Sequence, residues 1–114
     1  MPLVKLQTNI KLDDATSQGL LKKLSSLTAS QLGKPESYVM VSVEPSCSML
    51  FAGNNEPLCY VELKSIGLPE NMTTAISAAL CELINETMGI SPERIYIEFT
   101  NAPRAMWGWN SGTF

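Results

Sequence analysis

The chain has 114 residues, of which 45% are hydrophobic and 17% charged, a composition that suits one globular domain and argues against disorder. Eleven acidic and eight basic side chains give a formal net charge of −3 without a basic cluster, so neither nucleic-acid binding nor attachment to an anionic membrane is expected. No charged-then-apolar leader and no apolar run of about 18 residues occurs, which predicts a soluble protein made in the cytosol.

Histidine is absent, which removes the commonest general base together with the Ser-His and Cys-His couples. The three cysteines, Cys47, Cys59 and Cys81, are odd in number and widely spaced, and they predict free thiols and no disulfide framework. The sequence therefore predicts no metal site and no cofactor. Any acid-base chemistry must come from other groups.

The first half of the chain has the pattern of a strand, a helix and a second strand. Alternating apolar positions predict a strand over residues 2–9. A leucine stripe predicts a helix that is capped by Asp13 or Asp14 and ended by Gly33. The β-branched stretch SYVMVSV predicts a strand over residues 37–43, and SMLFAG can add a short strand before NNEP turns the chain.

The second half repeats this order. A strand is predicted over residues 58–65, followed by a helix that Asn71 can cap and Gly89 can end. The stretch RIYIEF predicts the last strand, over residues 94–99.

An offset of 57 residues aligns the two halves, so that Val4 falls on Val61 and Pro35-Glu36 on Pro92-Glu93, and LGKPESYVMV and MGISPERIYI are two versions of the same helix exit and strand entry. We therefore predict one α+β domain over residues 1–114, with pseudo-repeats at about 2–57 and 58–114. Because β-α-β crossovers are right-handed, the duplicated unit should place two helices on one face of a four-stranded mixed sheet. The opposite face is expected to be too apolar to stay in water, and association through the sheets would cover it.

Pro2 raises a chemical possibility. Initiator methionine is generally trimmed before a small residue, which would leave the secondary amine of Pro2 as the mature N-terminus. A free α-amino group titrates near about 7.7–8.0, and burial lowers that pKa, so a neutral amine could accept a proton or attack a carbonyl. The alternative is that Pro2 is a common second residue without chemistry.

Six short motifs occur in one order along the chain: Met-Pro at the terminus, GKP at 33–35, EP at 56–57, SIG at 65–67, RIYIEF at 94–99 and WGWNSGTF at 107–114. With these motifs the chain resembles the macrophage migration inhibitory factor family of the tautomerase superfamily, over residues 2–114. The resemblance implies a homotrimer whose sheets form a central barrel with the helices outside. It also implies an active site at each subunit boundary.

The resemblance further implies an isomerase, a keto-enol tautomerase for small aromatic α-keto acids such as phenylpyruvate or for dopachrome. Pro2 matches the proline that acts as general base and acid, and Lys34 matches the lysine that holds the substrate carboxylate. Ser65 and Ile66 match the segment that lines the pocket beside the proline. Tyr96 matches a tyrosine that the neighbouring subunit contributes.

Two aromatic positions, Trp109 and Phe114, match residues around the pocket mouth and the chain end, while two other positions depart from the family pattern. Glu98 stands where vertebrate members carry asparagine. Beside the pocket its carboxylate would repel a keto acid and weaken activity on phenylpyruvate; alternatively it is an exposed strand glutamate. Trp107 replaces a smaller aliphatic residue and either offers a stacking face, narrows the entrance or packs in the trimer.

The thiol and signalling features of vertebrate members are incomplete. Their Cys-x-x-Cys segment is LCYV here, so only Cys59 remains and no thiol oxidoreductase activity is expected. Leu12, with Lys11 beside it, stands near the basic position of the receptor-type pair, and Ser46 replaces its aspartate. The alternative function is a cytokine-like, host- or receptor-interacting protein with weak or vestigial tautomerase activity, and a third is imine formation or conjugate addition by the proline amine. The predicted location is the cytoplasm, with secretion without a signal peptide left open.

Overall fold

Two β-α-β units make up the chain, and a computed structural model describes them over residues 1–114. The elements in chain order are β1 (Leu3–Thr8), α1 (Asp14–Leu32), β2 (Met40–Glu44), β3 (Cys59–Ile66), α2 (Thr73–Met88), β4 (Ile95–Ala102), β5 (Gly108–Trp109) and β6 (Gly112–Thr113). Neither α1 nor α2 combines the length and hydropathy that crossing a bilayer requires.

The main sheet has the strand order β2-β1-β3-β4. Strands within each unit are parallel, and the units meet through the antiparallel pair β1 and β3. Val4 pairs with Leu63 and Leu6 pairs with Val61. Since the repeat aligns Val4 with Val61 and Leu6 with Leu63, the two units meet through equivalent residues. The duplicated β-α-β unit and the four-stranded mixed sheet predicted from the sequence are confirmed.

The core lies between this sheet and the two helices. Alternate residues of β1 and β3 point to the helices because side chains on a strand alternate between its faces. Helical positions three and four apart supply the opposite side of the core. The fully buried members are Val4, Leu6, Val61 and Leu63 from the sheet, Leu20 and Leu24 from α1, and Ile76, Leu80 and Ile84 from α2.

The helix ends follow from capping chemistry, with one correction. Asp13 accepts the Thr16 N–H at 2.7 Å, and Gly33 ends α1 with a φ of +62° that a side chain would disfavour. Asn71 does not cap α2, contrary to the prediction, because it lies inside a 3₁₀ turn that runs directly into the helix. Met72 at the junction is already helical, so no extended residue is available for a side-chain cap.

SMLFAG forms no strand, because no neighbouring strand offers it a ladder of hydrogen bonds. Phe51 and Asn54 form only an isolated bridge. Arg94 holds this loop instead, since its guanidinium lies 5.2 Å from the centroid of the Phe51 ring and donates to four backbone carbonyls. The acceptors are the carbonyls of Phe51, Asn54, Glu56 and Pro57.

The open face of the sheet is mainly polar, which corrects the expectation that it is too apolar for water. Gln7 donates to Glu44 at 3.0 Å, and Lys64 pairs with Glu62 at 3.8 Å. Lys5 lies opposite Glu62 in the same face. Most apolar residues of the strands lie on the helix side, and the open face carries exposed Met40 and Tyr96 only on its two edge strands.

Candidate active site

Pro2 is buried at the wall of a cavity of about 440 Å³, where β1 begins beside β2. The Pro2 carbonyl accepts the Met40 N–H at 3.0 Å, which fixes the start of the chain against the neighbouring strand. The cavity is lined by Met1, Pro2, Leu3, Ser37, Tyr38, Val39, Met40, Trp107, Gly108, Trp109 and Phe114. The structure thus brings together four predicted site residues that are far apart in the sequence: Pro2, Trp107, Trp109 and Phe114.

The C-terminal hairpin of β5 and β6 supplies the aromatic wall of this cavity. Trp109 stacks on Phe114 with ring centroids 5.4 Å apart, and Tyr38 meets the edge of each ring at 5.8 and 6.3 Å. The Phe114 N–H donates to the Trp107 carbonyl at 3.2 Å, which ties the chain end to the cavity rim. Such a wall suits a flat aromatic group. Sequence analysis did not assign the hairpin or the role of Tyr38.

Lys34, Ser65 and Ile66 form one cluster. Gly33 turns the chain out of α1, and the Lys34 side chain then reaches the end of β3. Its Nζ donates to Ser65 Oγ at 2.9 Å and also to the Ile66 carbonyl. Ser65 is completely buried, so this contact anchors a charged side chain on a rigid part of the core.

The electrostatics of the cluster reach the N-terminal amine. Partial burial, followed by the positive charge of Lys34, lowers the pKa of the terminal amine, which belongs to Met1 in this structure. The pKa of Lys34 is itself lowered, first by burial and then by the charge of Arg104. Burial and the Lys34 charge thus both favour the neutral form of the terminal amine.

Arg104 is the charged neighbour that sequence analysis missed. It opens the 3₁₀ turn Arg104–Met106, just after β4 and just before Trp107. The only hint of its role in the sequence was its position three residues before Trp107, a predicted site residue. Its proximity to Lys34, however, follows from the turn and the β3–β4 register, which the residue pattern alone does not provide.

Tyr96 and Glu98 lie away from the cavity of their own chain, on the open face of β4. Tyr96 is 66% exposed and contacts Phe51 with ring centroids 4.7 Å apart. Glu98 is exposed and accepts the Tyr60 hydroxyl at 3.0 Å. Burial and the Glu98 hydrogen bond raise the pKa of Tyr60 to about 12. Within one chain, Glu98 is therefore an exposed strand glutamate.

The thiols near β3 are poor nucleophiles. Burial, with a smaller contribution from Cys81, raises the pKa of Cys59 to about 12, and burial also raises the pKa of Cys81. Because the thiolate is the reactive form, we expect no insulin reduction through Cys59 and the same background rate for Cys59→Ser. A wild-type insulin-reduction rate that the substitution abolishes would contradict this expectation.

The fold and cavity define an α+β protein with a duplicated β-α-β unit and a cavity that has Pro2 in its wall. Over residues 1–114 the chain matches the family model of macrophage migration inhibitory factor. It is 36% identical to macrophage migration inhibitory factor of Meriones unguiculatus and 35% identical to a homologue of Brugia malayi, each over all of this chain and 99% of the relative. The chain belongs to the macrophage migration inhibitory factor family.

Solved structures agree with this assignment. A macrophage migration inhibitory factor homologue of Prochlorococcus marinus superposes with a TM-score of 0.93 at 44% identity, covering 98% of both chains. The factor of Trichinella spiralis superposes with a TM-score of 0.91 at 33% identity, covering 98% of this chain and 99% of the other. The similarity in fold therefore spans the whole domain.

Proposed function

We propose that the protein is a keto-enol tautomerase for aromatic α-keto acids, with the nitrogen of Pro2 as its general base and acid. The observation that carries the proposal is the position of Pro2, buried at a cavity wall with the Lys34 charge near enough to lower the pKa of the terminal amine. Once Met1 is removed, the amine lies on Pro2 itself. A neutral amine at working pH is what proton abstraction next to a carbonyl needs.

The reaction moves one proton and needs no other reactant. The Pro2 nitrogen takes a proton from the carbon next to the carbonyl, and negative charge develops on the carbonyl oxygen as the enolate forms. Protonation of that oxygen gives the enol, and the reverse sequence returns the proton to carbon. The aromatic wall of Trp109 and Phe114 would hold the substrate ring, while Lys34, whose charge acts on the terminal amine from outside the cavity lining, would hold its polar end.

We further propose that the active unit is a homotrimer in which each subunit completes its neighbour's site. Tyr96 and Glu98 support this arrangement because both are exposed and outside their own cavity, on a sheet face that can meet another subunit. The polar open face would then line a hydrated central barrel. In the trimer, Glu98 would lie close to the keto acid and lower activity on phenylpyruvate relative to an asparagine.

Three measurements on the wild-type protein test the proposal together. Intact mass should show a chain without Met1, sedimentation should give the mass of three 12.4-kDa chains, and phenylpyruvate ketonisation should exceed the buffer rate in proportion to enzyme. A protein that keeps Met1 and still catalyses the reaction would refute the proline mechanism. A Met1-free protein without activity on phenylpyruvate and dopachrome methyl ester would refute the tautomerase assignment.

A further inference from the structure

Arg104 has no role in the mechanism so far, yet the backbone places it between two parts of the site. Its carbonyl accepts the Trp107 N–H at 3.2 Å, and Trp107 lines the Pro2 cavity. Ala102, two residues before Arg104, pairs with Ile66, whose carbonyl accepts the Lys34 ammonium. The Arg104 backbone therefore lies between the Lys34 cluster and the aromatic rim, while neither cation lines the cavity itself.

Lys34 and Arg104 differ in how many of their hydrogen-bond donors are already used within the chain. Lys34 has three N–H groups, and Ser65 and the Ile66 carbonyl already use two of them, so one remains for a substrate atom. Arg104 is exposed and forms no ion pair, and its side chain donates no hydrogen bond within the chain. Within one chain all five of its N–H groups are free, in a planar arrangement that pairs with both oxygens of a carboxylate.

We infer that Arg104 binds the substrate carboxylate and that Lys34 gives its one free hydrogen to the keto oxygen next to Pro2. The inference rests on the proposed tautomerase function and deepens it, because it assigns the two ends of an α-keto acid to two different cations. It also changes the role that the family resemblance implies for Lys34, from holding the carboxylate to stabilising the enolate oxygen.

The two roles have different kinetic signatures. The carboxylate keeps its charge throughout the reaction, so an interaction with Arg104 stabilises substrate and transition state equally and appears in KM. Charge develops on the keto oxygen only as the proton leaves carbon, so the Lys34 contact appears in kcat. That the Arg104 charge lowers the pKa of Lys34 agrees with their closeness.

The test compares an aromatic α-keto acid with its methyl ester, which lacks the anionic carboxylate. We expect Arg104→Ala to raise KM for the acid about 10–100-fold with kcat nearly constant, as the loss of a charged hydrogen-bonded pair predicts. The ratio of kcat/KM for the acid to that for the ester should fall by the same factor. Arg104→Lys, which keeps the charge without the planar fork, should lie between wild type and Arg104→Ala.

Lys23→Ala is the matched control, because Lys23 is an exposed cation on α1 and its removal changes net charge by the same amount. It should leave both substrates' KM values at the wild-type level. If Arg104→Ala changes acid and ester equally, or changes neither, the inference is overturned. A loss that Lys23→Ala reproduces would also overturn it, since net charge would then be the cause.

A binding measurement separates this inference from the tautomerase proposal. Trp107 and Trp109 line the cavity, so their fluorescence should report an unreactive arylpropenoate and its neutral amide. We expect the acid to bind about 10–100-fold more tightly than the amide, and Arg104→Ala to remove the difference. If this binding result is obtained but no turnover is detected, the tautomerase proposal is refuted while the assignment of Arg104 to the substrate carboxylate stands. If the wild-type protein binds the acid and the amide equally well, Arg104 does not bind the carboxylate and the inference is refuted.

Discussion

Pro2→Gly is expected to lower kcat/KM on phenylpyruvate by about 10²–10⁴-fold, the usual contribution of a positioned general base. Glycine also permits removal of Met1, so the variant keeps a free terminal amine. It loses the ring that fixes the backbone and directs the nitrogen into the cavity. The comparison therefore separates a proline base from a terminal amine of any kind.

Inserting an alanine between Met1 and Pro2 provides a second variant. The Pro2 nitrogen then becomes an amide, which cannot accept a proton at neutral pH, and activity should fall to at least the level of Pro2→Gly. Circular dichroism and sedimentation would establish that both variants keep the wild-type fold and assembly. Full activity in either correctly folded variant would exclude the Pro2 nitrogen as the base.

The fold could be predicted from the sequence because its determinants are local and occur twice. Strand alternation, the leucine stripe of α1 and the glycines at the helix ends each depend on nearby residues. The polarity of the open sheet face could not be inferred from overall hydrophobicity, because it depends on which alternate positions face the helices. Lys5, Gln7 and Glu62 show this: they separate buried residues on β1 and β3 yet share one polar surface.

The site was only partly predictable for a related reason. Lys34, Ser65 and Ile66 were identified through the family resemblance, and the structure brings them together in one hydrogen-bonded cluster. Arg104 was missed because its position depends on a 3₁₀ turn and on the pairing of β3 with β4. Tyr96 has no place in its own chain's cavity, so its predicted role depends on a second subunit.

Lys34→Ala is expected to lower kcat on phenylpyruvate by about 10²–10³-fold, because it removes a preorganised donor from the oxygen where charge develops. It should also change the pH dependence. The Lys34 charge lowers the pKa of the terminal amine, and the neutral amine is the base. Removing that charge raises the amine pKa, so the fall in kcat/KM at acidic pH should begin at a higher pH than in wild type.

Lys34→Gln separates these two effects, because glutamine has no charge but retains N–H donors. In Lys34→Gln the fall in kcat/KM at acidic pH (the acidic limb of the pH profile) should begin at a higher pH, as in Lys34→Ala. Its loss of kcat should be smaller if an N–H still reaches the oxygen. A shift of the limb in Lys34→Gln without a large loss of kcat would assign the pKa effect to charge and the rate effect to hydrogen bonding. An acidic limb that stays at the wild-type pH in both variants would mean that Lys34 does not set the protonation state of the base, and the electrostatic part of the mechanism would be wrong.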